Sequence, residues 1–173
     1  MVLISLLGCL KHAPSAADGA GAVVTVVALE DRLGTDPVCG VPAALNTALA
    51  SAVAARKLAP EVLFGGDAAA AVGSARSTEQ RLSALAAGAP DKAKLLIETT
   101  PSFYSELSGQ YRWTVGVELS LVVPDGTHFD AEFSVPVFLH YAHEGQDDAV
   151  AQAAPVIARR TGEMLDIWLA TPK

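Results

Sequence analysis

The chain has 173 residues, 51% apolar and 18% charged, and its twelve Lys and Arg against nineteen Asp and Glu give a formal net charge of −7. That length suits one domain around one core, and the composition excludes wholesale disorder, collagen-like repeats and low-complexity classes. The acidic balance argues against nucleic acid, which needs clustered cations to displace counterions, and no run reaches the roughly 18 apolar residues of a membrane-spanning helix.

Met1 to Cys9 is an apolar run ending in Leu6-Leu7-Gly8-Cys9, and a polar, Ala- and Gly-rich stretch follows through Gly21. This resembles the end of a bacterial lipoprotein signal. The resemblance implies a diacylglycerol on the Cys9 sulfur and cleavage that makes Cys9 the new N-terminus. Residues 1–9 are then a signal remnant, 10–21 a short linker and 22–173 a single α+β domain. Several acyl chains together hold a protein on a bilayer where one holds it only marginally. Leu10 in place of Asp after the cysteine implies, by the same resemblance, sorting to the outer membrane. The eleven or so residues from Lys11 to Gly21 reach at most about 40 Å. Two other readings of Cys9 stay open: a core cysteine in a buried first strand, and a disulfide to Cys39, which excludes lipidation. Cys39 lies in a turn-rich segment, Gly34 to Pro42, ahead of a helix. A thiol there can have a lowered pKa, but no His or basic residue adjoins it, so it reads as structural.

Val23 to Leu29 is nearly continuous in apolar, β-branched residues, the pattern of a central strand covered on both faces. Pro42 suits a first helical turn, and Leu45, Leu49 and Val53, with Ala48 and Ala52 beside them, predict a helix ending before Pro60. Glu61 to Phe64 is a short second strand stopped by Gly65-Gly66. Asp67 to Arg76 fits either a loop or a weak helical turn. Ser77-Thr78-Glu79-Gln80 matches a capping box and opens a second helix that buries Leu82 and Leu85. Lys94 to Thr100 begins a third strand, which continues past Pro101 to Glu106 as an edge.

Leu107-Ser108-Gly109-Gln110 turns the chain into the clearest pattern it holds. Tyr111, Trp113, Val115, Val117, Leu119, Leu121 and Val123 are apolar at every second position. After the turn at Pro124-Asp125-Gly126-Thr127, the residues Phe129, Ala131, Phe133, Val135, Val137, Leu139 and Tyr141 resume the alternation. Two long strands thus form an antiparallel hairpin with one buried and one wet face. Acidic residues from Glu144 to Asp148 suit a helix N-terminus. Val150, Ala153, Ile157, Thr161, Met164, Leu165 and Trp168 then place a long C-terminal helix on the hairpin, kinked at Pro155 or starting there.

The predicted order is β-α-β-α-β-β-β-α: an α+β two-layer sandwich with a mostly antiparallel sheet of four to five strands and helices on one face. Val24-Thr25-Val26-Val27-Ala28-Leu29-Glu30-Asp31-Arg32 and Val117-Glu118-Leu119-Ser120-Leu121-Val122-Val123-Pro124-Asp125-Gly126 resemble the first strand and the penultimate hairpin of the TolB N-terminal-domain fold. Small envelope lipoproteins are built on that fold, including activators of penicillin-binding proteins. The element order is also similar to that of the lipoprotein that plugs the lipopolysaccharide transport barrel. The resemblance implies a partner in the envelope, reached from a lipid anchor.

Several residue sets invite chemistry. His140, His143 and Glu144 supply zinc-type donors, but an i, i+3 pair on a strand faces opposite sides, and loop polarity explains them as well. His128, Asp130 and Glu132 share a solvated strand face and offer paired carboxylates; plain alternation accounts for them too. Arg159-Arg160 with Lys92 and Lys94 offer an anionic lipid few cations and read mainly as a solvated helix face. Phe103, Tyr104, Tyr111 and Trp113 gather at the third-to-fourth strand turn, where Phe103 and Tyr104 are the candidate partner-binding pair, against core use. An exposed third strand also offers an edge to a partner strand.

These readings converge on a lipid-anchored, non-catalytic envelope domain that binds and positions or activates another protein on the periplasmic face of the outer membrane, with no cofactor and no small-molecule ligand implied. The alternatives are a small enzyme or metal-binding protein using the His128–Glu144 region, and a soluble interaction subunit of a larger assembly.

Overall fold

Five of the eight residues in Val23–Glu30 (β1) are β-branched, and every one after Val23 is buried. A strand without a polar face must be covered on both sides. A computed structural model of the chain, describing residues 22–30 and 40–172, shows how this is met. β1 pairs in parallel with Ala59–Leu63 (β2) on one side and with Ala93–Leu107 (β3) on the other. Gln110–Val122 (β4) and His128–Leu139 (β5) follow as antiparallel neighbours, so the sheet order is β2-β1-β3-β4-β5.

The two crossovers run in opposite directions from β1. Crossovers between parallel strands are right-handed, so opposite directions put the connecting helices on opposite faces. Ala43–Ala54 (α1) joins β1 to β2, and it packs with the C-terminal helix α4 (Gln146–Ala170) over Val24, Val26, Leu95 and Ile97. Gly65–Val72 (α2) and Thr78–Gly88 (α3) join β2 to β3 and cover Val27, Leu29 and Leu96 on the other face. The α+β layout stands as predicted, on a mixed sheet of five strands with two parallel and two antiparallel pairings. Placing all helices on one face is corrected: the parallel half is a three-layer structure and the hairpin half a two-layer one. The segment left open between loop and helix is α2, which starts at Gly65.

β3 runs through Pro101 without a break. Its pairing with β1 ends at Thr99, and from Thr100 onward, Pro101 included, its strand partner among the described residues is β4. The turn to β4 carries positive φ at both Ser108 (55°) and Gly109 (75°), the requirement of a type I′ hairpin. α3 is capped by Ser77, whose Oγ accepts from the Gln80 amide at 3.2 Å. Gln80 Oε1 accepts from the Arg76 amide at 3.0 Å, one residue earlier than a capping box predicts. α4 passes through Pro155 as one helix. Where α1 meets α4, Arg56 donates to both carboxylate oxygens of Asp166 at 2.8 and 2.7 Å, holding that carboxyl below its usual range. Its guanidinium lies over Gly162, where any Cβ would collide with it.

α3 is also tied to the sheet by charge. Arg81 and Glu98 are both buried, and Arg81 Nη1 donates to Glu98 Oε1 while its Nε donates to the Ala75 carbonyl. Breaking a buried pair from one side strands the other charge, at a cost of about 3–5 kcal/mol. Arg81→Met and Glu98→Leu are each expected to destabilise the protein by that order. The double variant should recover most of the loss, because both charges leave the interior together. Denaturant unfolding of the four proteins checks this, and additive losses would refute it.

Candidate functional site

The outer half of β3 and the start of β4 project an aromatic group beyond the end of β1. Phe103 pairs with Trp113, their rings 5.5 Å apart and tilted by 59°. The register then slips between Phe103 and Ser105, so Tyr104 is the extra residue of a β-bulge. Phe103 is 51% exposed and Tyr104 55%, and Leu107 at the turn is exposed as well. Trp113 and Tyr111 lie half-buried against the α1/α4 core. Of the four aromatics singled out in the sequence, Tyr111 and Trp113 lie against the core and the candidate pair Phe103 and Tyr104 is exposed, on the stretch of β3 beyond its pairing with β1.

The His140–Glu144 segment is a tight turn. Glu144 Oε2 accepts from the backbone amides of His140 and Tyr141 at 2.9 and 2.8 Å, and the His143 ring stacks on Tyr141 with 5.5 Å between centroids. The carboxylate is thus engaged by the backbone beside the imidazoles. Asp148 caps α4 by accepting from the Gly145 amide at 2.9 Å. Among the described residues, no group of three or more His, Cys, Asp or Glu is arranged to hold a metal ion. Cys9, Cys39, the signal remnant and the linker lie outside the described residues.

His128, Asp130 and Glu132 are all exposed on β5, and register gives them neighbours the sequence does not name. His128 sits opposite Val122, Asp130 opposite Ser120, and Glu132 opposite Glu118, which itself lies opposite Glu98. Three carboxylates therefore stand abreast on three strands, and among the described residues only that of Glu98 has a cation, Arg81. At the α3 side of this face a groove of about 550 Å³ opens, with Leu82, Ala86 and Val122 as its apolar lining and Glu79, Asp130 and Ser120 among its polar groups. The isolated strand pattern hides this groove, because it exists only where the helix layer stops.

The cations proposed for a lipid surface do not come together. Lys94 is buried, and burial pushes its ammonium below the usual lysine range; its Nζ lies 3.5 Å from Thr25 Oγ1. Lys92 donates to Glu61 Oε2 at 2.9 Å, an oxygen that also accepts from Thr25 Oγ1 at 2.9 Å. Arg160 pairs with Glu163 and lies 5.9 Å over the Phe133 ring. No helix among the described residues is long and apolar enough to cross a membrane.

No family model matches the chain, and neither does any curated protein. Solved structures with a similar chain path include a minor lipoprotein from Acinetobacter baumannii, 12% identical over 87% of this chain and 96% of its own, with a TM-score of 0.46. A Xanthomonas campestris protein is 12% identical over 87% of each chain, with a TM-score of 0.47. The rare lipoprotein B of Shewanella oneidensis is 7% identical over 82% and 88%, with a TM-score of 0.30.

The Glu61 carboxyl is held below its ordinary value of 4.5 by the hydrogen bond from Lys92, and then by that from Thr25. A carboxylate with a lowered folded-state pKa contributes stability that is complete above the unfolded-state value and is lost as pH falls through the folded-state one. Glu61→Gln should therefore lower the melting temperature at pH 7, and the gap to the parent should narrow as pH falls from about 5 towards 3, below the ordinary value of 4.5. Scanning calorimetry across that range checks the sign; a gap unchanged at pH 3 would contradict the assignment.

Proposed function

We propose that this chain is a lipid-anchored domain of the bacterial envelope that binds and positions or activates a partner protein on the periplasmic face of the outer membrane, without a catalytic step of its own. The single observation that carries the binding role is the exposed pair Phe103 and Tyr104 on the half of β3 beyond its pairing with β1. Large aromatics are enriched among the residues that dominate interface energies, and an open strand edge beside them can extend a partner's sheet through main-chain hydrogen bonds. The anchor rests on Leu6-Leu7-Gly8-Cys9. A leash of about 40 Å limits the partner to the zone beside the bilayer.

Two measurements test the two halves separately. Palmitate supplied to cells expressing the chain should label it, and Cys9→Ala should abolish the label; label retained by that variant rules out Cys9 as the anchor. A photoreactive residue in place of Tyr104 should cross-link one envelope protein in intact membranes. Phe103→Ser with Tyr104→Ser should reduce capture of that protein at least tenfold. Folding should survive, since Tyr104 is a surface position worth within about 0.5 kcal/mol and the Phe103–Trp113 contact about 0.5–1.5 kcal/mol. Undiminished capture by the double variant would remove the hairpin from the interface.

A further inference from the structure

β5 ends the strand order of the sheet, and among the described residues no strand lies along its outer edge. The turn before it fixes the phase of its backbone. The Val123 amide donates to the Thr127 carbonyl at 3.0 Å, and the β4–β5 register runs on from that pair without a slip. Antiparallel pairs alternate between those that exchange hydrogen bonds and those that do not, so Phe129, Ala131 and Phe133 turn their amides and carbonyls to β4. His128, Asp130, Glu132 and Ser134 turn theirs outward. Pro136 belongs to the outward set but has no N–H to offer, which ends the usable edge at Ser134.

The two faces of this stretch differ. On the side of α4, Phe129 and Ala131 join Met164 and Ile167 in an apolar groove of about 340 Å³, with Ile167 61% exposed. Arg160 and Glu163 border it and pair with each other. On the opposite face Asp130 and Glu132 are exposed, and Glu118 lies directly inward of Glu132. A strand added to the edge alternates its side chains in the same way, one set beside the groove and the other beside the carboxylates. Main-chain bonds then give affinity and the alternate side chains give selectivity. Opposite charges across a ladder stabilise it and like charges weaken it, so the acidic face selects cations. A second copy is disfavoured by the same rule: antiparallel pairing through the middle of the stretch sets Asp130 against Glu132, or each against itself. We propose that residues 128–134 of β5 accept an extended segment of another protein in which apolar and basic residues alternate. The site does not use Phe103 or Tyr104 and does not depend on the anchor.

Amide hydrogen exchange of the full-length chain, followed by nuclear magnetic resonance, tests each part. In the free protein Asp130, Glu132 and Ser134 should exchange at least tenfold faster than Ala131 and Phe133. A capped Lys-Val-Lys-Val-Lys-Val peptide should bind saturably and slow the three outward amides at least tenfold. Replacing its Lys by Glu should weaken binding at least tenfold, and so should N-methylation of the Lys amides, which face β5 in the paired strand. Asp130→Lys with Glu132→Lys, at exposed positions that the fold tolerates, should reverse the preference in favour of the Glu peptide. Absence of binding, binding that leaves the three amides exchanging freely, binding that survives N-methylation, or indifference to the sign of the peptide's charge would overturn the proposal. Slow exchange at these amides in the free chain would overturn it too: if lost on dilution it identifies a second copy as the occupant, and if kept on dilution a segment of this same chain.

Discussion

The handedness of parallel crossovers governs this fold. The chain crosses from β1 to β2 through α1 and then, in the opposite direction, from β2 past β1 to β3 through α2 and α3. With both turns right-handed, helices must lie above and below β1, so that strand and the first half of β3 are sealed from water on both faces. The consequence is visible in the charges trapped there. Glu98 survives in the interior by pairing with Arg81 from α3, and Lys94 is pushed toward its neutral form by the same burial. A sheet with helices on one face would have left both side chains in solvent.

The same constraint sets where coverage ends. α2 and α3 need only bridge the width of β1, so they stop over β3 and leave the second face of β4 and β5 bare. The opposite face is closed by α1 and α4, which share a core with the alternate residues of the hairpin. One sheet therefore presents a closed half, a bare half and a groove at the step between them. Beyond Thr99 a third zone appears, where β3 runs past its pairing with β1 and, among the described residues, the hairpin continues. The bulge at Tyr104 interrupts the regular ladder of that open stretch, which blunts it against indiscriminate edge pairing while leaving two aromatic rings at the surface.

Local pattern carried much of this. Strict alternation in Tyr111–Val123 and Phe129–Tyr141 specified a hairpin whose register followed from its two turns, because a slip of one residue would have exposed the whole apolar set. The Ser77 cap was equally readable, being set by residues within one helical turn. What escaped were features fixed by elements distant in sequence. The face chosen by α3 depends on the order of strands, which no window along the chain records, although the crossover rule applied to a β-α-β-α-β order would have raised it. Lys94 looked like a surface cation because it is charged and closely follows Asp91 and Lys92; its burial comes from Thr25 and Val122, brought beside it by pairing. Phe103 and Tyr104 stand as an isolated aromatic pair between polar residues, and their exposure follows from their place on β3 beyond its pairing with β1, which ends at Thr99.

Charge shows the same division between what is local and what is assembled. His128, Asp130 and Glu132 alternate with apolar residues in the ordinary manner of a wet strand face, and Glu118 with Ser120 does so on the preceding strand. Taken singly, each strand exposes its polar residues to water at no evident cost. Pairing changes that: the hairpin register sets Glu118 against Glu132 and Ser120 against Asp130, while the adjoining register sets Glu98 beside Glu118. Like charges set opposite in a sheet weaken it, and of these carboxylates that of Glu98 has the cation Arg81, supplied by α3 from outside the sheet; the charge pattern of this face is therefore a product of register and helix placement together, and neither is written in a single strand.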